Sequence, residues 1–137
     1  MVAAGVGLVV CSAQAKDGNA SLKPVLGTWE FHEKAAGGTA GKDVTERLRL
    51  TMQVARTCLG GDVWYRAERL ASTLRHGMPA AYQYKDGKLA IMLDADICDA
   101  YTFYEGEVKR NVFTGKFIDA PWGHAVAGAA VSGRRLP

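Results

Sequence analysis

The chain has 137 residues, 48% of them apolar, with 17 Lys and Arg against 14 Asp and Glu for a net charge of +3. That length supports one hydrophobic core and not two domains. The whole surplus of charge falls in residues 42–76, with seven Lys or Arg against four Asp or Glu, and the rest balances ten against ten. This lacks the dense basic stripe with interleaved aromatics that nucleic-acid binding uses, and nucleic acid is excluded as a partner on that ground.

Residues 2–10 are small, apolar and uncharged, and Ala13-Gln14-Ala15 is an A-x-A pattern, so residues 1–15 read as a secretory signal peptide. A membrane-spanning helix needs ~20 apolar residues, and Ser12, Gln14, Lys16 and Asp17 arrive too early for one. The expected place is therefore the periplasm or the outside of the cell. Lipid anchoring through Cys11 ranks second, because Val10 is a poor residue before a lipidated cysteine. Residues 16–24 read as a polar leader, and 25–137 as one β-rich domain.

From Val25 to Glu33 the residues alternate, with Val25, Gly27, Trp29 and Phe31 on one face, which predicts a half-buried strand. Ala35 to Lys42 is a glycine-rich loop. Over 46–55 a strand reading (Leu48, Leu50, Met52 and Val54 at period two) competes with a helix opened by Asp43-Val-Thr-Glu46, and the strand is preferred. Over 63–76, Val63, Trp64, Ala67, Leu70, Ala71 and Leu74 fall on one arc at the helical period, between Asp62 as N-cap and Gly77 with Pro79 as stop. An amphipathic helix is predicted there. The remainder reads as strands: Ala80 to Lys85, an Asp86-Gly87 hairpin turn, Leu89 to Leu93, Tyr101 to Val108, Val112 to Phe117, and Ala125 to Arg134. About seven consecutive antiparallel strands and one helix favour a mainly β meander that closes into a small barrel or a strongly curled sheet.

Signal-peptide cleavage would remove Cys11 and leave Cys58 and Cys98 as an even pair, expected to form a disulfide in an oxidising compartment. His32, His76 and His124 lie in three separate elements without ligand spacing, and Asp94, Asp96 and Asp99 lack the glycine and closing Glu of a calcium loop. No metal or cofactor is expected. No serine sits in a nucleophile elbow, and Gly37-Gly38 and Gly41 lack the Lys-Ser/Thr of a phosphate loop. Glu105 and Glu107 share a strand face and read as solvated rather than catalytic. No catalytic residue is assigned and the protein is read as non-enzymatic.

Gly27-Thr28-Trp29 at the start of the first strand resembles the G-x-W of the calycin superfamily, the lipocalins and their relatives. The resemblance implies that Trp29 closes a barrel floor and that Arg134 or Arg135, late in the last strand, packs over it. The middle lipocalin motif and the C-terminal helix are absent, so the likeness speaks to architecture. Trp29, Phe31, Tyr82, Tyr84, Tyr101, Phe103, Phe113 and Phe117 occupy alternating strand positions and are expected to line one interior beside the small-residue strand Ala125–Val131. The leading expectation is an exported binding protein holding a small apolar or amphipathic ligand inside the barrel. The other is an interaction protein, such as an inhibitor or envelope assembly factor, acting through its surface. For that class, Arg66, Arg69 and Arg75 on the predicted helix would meet an acidic protein or an envelope surface.

Overall fold

The computed structural model describes residues 22–35, 41–121 and 126–137. The signal-peptide expectation for 1–15, most of the polar leader and His124 lie outside the described residues. Eight antiparallel strands run in chain order: β1 Gly27–Glu33, β2 Val44–Val54, β3 Tyr65–Ser72, β4 Ala80–Lys85, β5 Lys88–Met92, β6 Ala100–Lys109, β7 Val112–Pro121 and β8 Val126–Arg135. Each pairs with the next and β8 pairs with β1, which closes the barrel and leaves no sheet edge running its full height. The alternation found in the sequence is the cause. In β1, Trp29, Phe31 and Glu33 point inward, and in β2 Val44, Glu46, Leu48 and Leu50 do.

The predicted helix over 63–76 is corrected by the structure: β3 is a strand, and the described residues contain no α-helix. Two features disguised it. A bulge places Arg47 opposite Ala71 but Leu48 opposite Arg69, so Leu70 is an extra residue and the period of two breaks. The inward positions then hold Ala67, Arg69 and Ser72, two of them polar, while Leu70 and Leu74 face water. For 46–55 the strand reading matches β2, although the register slips after Leu50 and turns Met52 and Val54 outward.

Tight hairpins join β4 to β5 and β6 to β7. Asp86 (φ 53°) with Gly87 (φ 81°), and Arg110 (φ 48°) with Asn111 (φ 64°), have the paired positive φ that two-residue turns between right-twisted strands require. The floor is built by residues 22–26, where Val25 and Leu26 both donate to the Leu22 carbonyl in a tight turn under the barrel. Gly27 (φ 116°) redirects the chain from that turn into β1, a backbone angle that a side chain would strain. Trp29 then donates its indole N–H to the Val25 carbonyl at 2.8 Å.

A second apolar layer lies outside the barrel wall. The β2–β3 connection folds over β4 to β7, and its Ala55, Leu59 and Trp64 pack on Ala81, Met92, Phe103, Ile118 and Ala120. Cys58 in this strap is bonded to Cys98 in the β5–β6 connection, closing a loop with a sequence separation of 40. The bond fits an oxidising compartment. In the chain-entropy account a loop of that length contributes about 4 kcal/mol.

Candidate functional site

Parity along the strands dictates what the barrel encloses. Trp29 stacks on Phe31 (ring centroids 6.0 Å), Phe31 meets Phe113 edge-on at 5.3 Å and Tyr104 at 5.8 Å, and Tyr104 meets Phe117 at 6.5 Å. Gly133 stands opposite Phe31, and the ring fills the space its side chain would take: a Cβ there would lie 2.6 Å from Phe31 Cδ1. At the floor, Arg135 lies 5.9 Å from the Trp29 ring centroid and donates to the Leu26 and Lys23 carbonyls at 3.1 and 3.3 Å. Trp29 is fully buried. The floor arrangement expected from the G-x-W resemblance is therefore present, with Arg135 in the role and Arg134 turned to the outer face.

Of the eight rings named from the sequence, Trp29, Phe31, Tyr82, Phe113 and Phe117 belong to the interior cluster, and Tyr84 packs against it half-buried. Tyr101 and Phe103 do not join them. They lie on the outer wall, in the layer under the Trp64 strap. In β6 the even positions Tyr104 and Val108 face inward. Glu105 and Glu107 share the parity of Phe103 and are exposed, and that was the available signal for which face is which.

The opposite end of the barrel holds charge. Glu33 and Glu46 continue the inward parity of Trp29–Phe31 and of Leu48–Leu50, and both are fully buried. Buried carboxylates require cations within hydrogen-bonding reach. Arg75, from the β3–β4 connection, supplies one: its Nη1 donates to Glu46 Oε1 at 2.9 Å and its Nη2 to Glu33 Oε2 at 3.3 Å. Tyr104 donates its hydroxyl to Glu33 Oε2 at 2.8 Å and accepts from Arg75 Nη1 at 3.3 Å. The Arg75 guanidinium also lies 5.8 Å from both the Tyr104 and the Phe117 ring centroids. Arg69 completes the set, donating Nε to Glu46 Oε2 at 2.9 Å, Nη2 to the Leu93 carbonyl at 2.9 Å and Nη1 to the Met78 carbonyl.

This network alters its members. Burial opposes the Arg75 charge, but Tyr104, Glu46 and Glu33 more than compensate, and its pKa stands above the ordinary arginine value. Burial pushes the Tyr104 phenol up; Arg75 pulls the other way, and the two carboxylates add to the rise. Such a phenol is a proton donor fixed in place, not a base. With both carboxylates engaged by guanidinium groups, the cluster ties β1, β2, β3, the β3–β4 connection and β6 together at the barrel's end. Among the described residues no three His, Cys, Asp or Glu side chains converge as a metal site.

The arginine face expected at Arg66, Arg69 and Arg75 is corrected. Arg69 and Arg75 point into the barrel and are spent on Glu33 and Glu46, leaving Arg66 outside. A different polar face forms across the seam of the barrel. Glu30 stands opposite Arg134 of β8 and Arg47 of β2, and Arg49 stands opposite Glu68 of β3. Arg47 donates to Glu30 Oε2 at 2.9 Å, Arg134 to Glu30 Oε1 at 3.3 Å, and His32 Nε2 lies 3.2 Å from the same Oε1. Hydrogen bonds from Arg47 and then Arg134, against a small burial cost and with help from His32, hold the Glu30 carboxyl at about 2. No sequence window contained this face, because its charged residues come from four strands, β8, β1, β2 and β3.

The described cavities are external. A groove of about 630 Å³ runs over β4, β5 and β6 beside Gln83, Lys85, Lys88, Ala90, Glu105 and Glu107. A pocket of about 340 Å³ lies where β3 and β4 part after Ala67 meets Ala80. No family model, curated protein or solved structure matches this chain. What fold and site define is a closed eight-stranded antiparallel barrel with an aromatic interior, a buried arginine–carboxylate cluster at one end and a disulfide-tied strap outside. No helix among the described residues is long and apolar enough to cross a membrane.

Proposed function

We propose that this is an exported interaction protein that works through its outer surface, with the barrel as a rigid scaffold. One observation carries the reading: Trp29, Phe31, Leu48, Tyr82, Ile91, Leu93, Tyr104 and Phe113 each present 0% of their surface to a water-sized sphere. Small eight-stranded barrels either fill with side chains or keep room for one ligand. The side chains that would line a ligand chamber here touch one another instead. The disulfide supports export, and the Trp29–Arg135 floor supports a calycin-like origin for the scaffold. The polar end supports it as well, since Glu33, Glu46, Arg69 and Arg75 are consumed in binding each other.

Titration with fluorescent fatty-acid and naphthalene probes tests this against the ligand-carrying class. The proposal expects no saturable binding to the folded protein. Saturable binding that Ala129→Phe abolishes, with the circular dichroism spectrum unchanged, would transfer the function to the interior, because Ala129 is buried there.

A further inference from the structure

We propose that the outer face of β8, β1, β2 and β3 is a docking surface for an acidic protein, with Arg134, Arg47, Arg49 and Arg66 as its carboxylate-binding groups. The proposal rests on the surface-acting reading and names its partner's chemistry.

The cross-strand register puts these groups side by side. Glu30 is flanked by Arg134 and Arg47, Thr28 faces Arg49, and Arg49 faces Glu68. Arg66 lies one outward position before Glu68 on β3, and its carbonyl accepts from Thr51. Adjacent strands are ~4.8 Å apart and each residue rises ~3.4 Å, so the set spans roughly 15 Å across the strands and roughly 14 Å along them. Four guanidinium groups face two carboxylates there, a local surplus of positive charge. The carboxylates do not quench the arginines; they orient them. Arg47 and Arg134 each spend one terminal nitrogen on Glu30, and Arg49 turns Nε and Nη2 toward Glu68. A guanidinium carries five donors, so each keeps a fork for an incoming carboxylate. The side chains of Arg47, Arg49 and Arg134 are 47%, 49% and 68% exposed. The surface is organised in advance, which lowers the entropy lost on binding.

The neighbourhood selects a protein over other polyanions. At the end of β2 and the start of β3, Met52, Val54 and Val63 are 52%, 71% and 54% exposed, beside Thr51 and Tyr65. Arginine and methionine beside an apolar patch are the composition of a protein interface. Stacking platforms for nucleic-acid bases are missing from the arginine rows.

The test uses poly-L-glutamate as probe and compares two charge-matched variants. R47E/R49E/R134E alters the face, and K85E/K88E/K109E alters hairpin positions elsewhere by the same net charge. The proposal expects saturable, salt-sensitive binding that the first variant weakens on the order of tenfold and the second changes little. Should R47E/R49E/R134E unfold, R47Q/R49Q/R134Q and K85Q/K88Q/K109Q replace the pair, with folding checked by thermal melting. Equal losses in the two variants would reduce the effect to net charge and overturn the proposal. So would binding to phosphatidylglycerol vesicles without binding to poly-L-glutamate. A failure here with no uptake of fatty-acid probes removes the acidic partner and leaves the surface-acting reading standing. Uptake of those probes removes the reading itself.

Discussion

Replacing Arg75 with Met keeps the volume and removes the charge on which the buried end of the barrel depends. The substitution deletes the bonds to Glu46 at 2.9 Å and Glu33 at 3.3 Å and the guanidinium contacts with Tyr104 and Phe117. Glu46 keeps Arg69, and Glu33 keeps the Tyr104 hydroxyl. Removing one member of a buried ion cluster costs about 3–5 kcal/mol, chiefly because the opposite charge stays buried. For a chain of this size each kcal/mol lowers the melting temperature by about 3–5 °C, so a fall of about 10–20 °C is expected. Calorimetric or urea unfolding of wild type, R75M, E33Q and R75M/E33Q measures it. The double variant should be less destabilised than the sum of the singles, because E33Q removes a carboxylate that R75M leaves without its arginine. A loss under about 1 kcal/mol for R75M, with additive double-variant behaviour, would mean that water reaches this cluster and that the buried-network argument is wrong.

The Glu30 carboxyl, held at about 2 by Arg47 and Arg134, contributes stability that is present above the unfolded value near 4.3 and lost as pH falls toward 2. The gap in urea midpoint between wild type and E30Q should therefore close between about pH 4.3 and 2, whereas a gap constant with pH would contradict the assignment. At the alkaline end, the raised Tyr82 and Tyr104 phenols predict stability that declines above about pH 10, as the unfolded chain releases those protons first. C58S/C98S should lose about 4 kcal/mol and loosen the strap, read as a shift in near-ultraviolet circular dichroism from Trp64. Intact mass without reductant should show no alkylatable thiol at Cys58 or Cys98. Gly133→Ala drives a methyl against Phe31 and should cost about 1–3 kcal/mol, measurable by denaturant unfolding.

Much of the barrel was legible because burial imposes a period of two on a strand with one wet face. β1, β4, β5 and β7 were readable from alternation, and the Asp86-Gly87 turn from its φ requirements. β3 was not, because its bulge at Leu70 and its inward Arg69 and Ser72 break the apolar alternation and leave a pattern that fits 3.6 residues as well. The charged cluster was half legible. Glu33 and Glu46 sit at inward parity in strands that were correctly read, which already demanded buried cations. Their partners come from a segment whose apolar spacing also fits a helix, and on a helix Arg69 and Arg75 would form a solvated face. The arginine rows outside the barrel could not be read at all before β8 was known to close on β1, since closure alone brings Arg134 to Glu30.

The central claim is that the barrel's interior belongs to its own side chains. Xenon enters dry apolar cavities and is seen directly by diffraction. Crystals pressurised with xenon should show no site among Trp29, Phe31, Phe113, Phe117 and Ala129. An ordered xenon atom in contact with those rings would reveal an interior chamber and contradict the account.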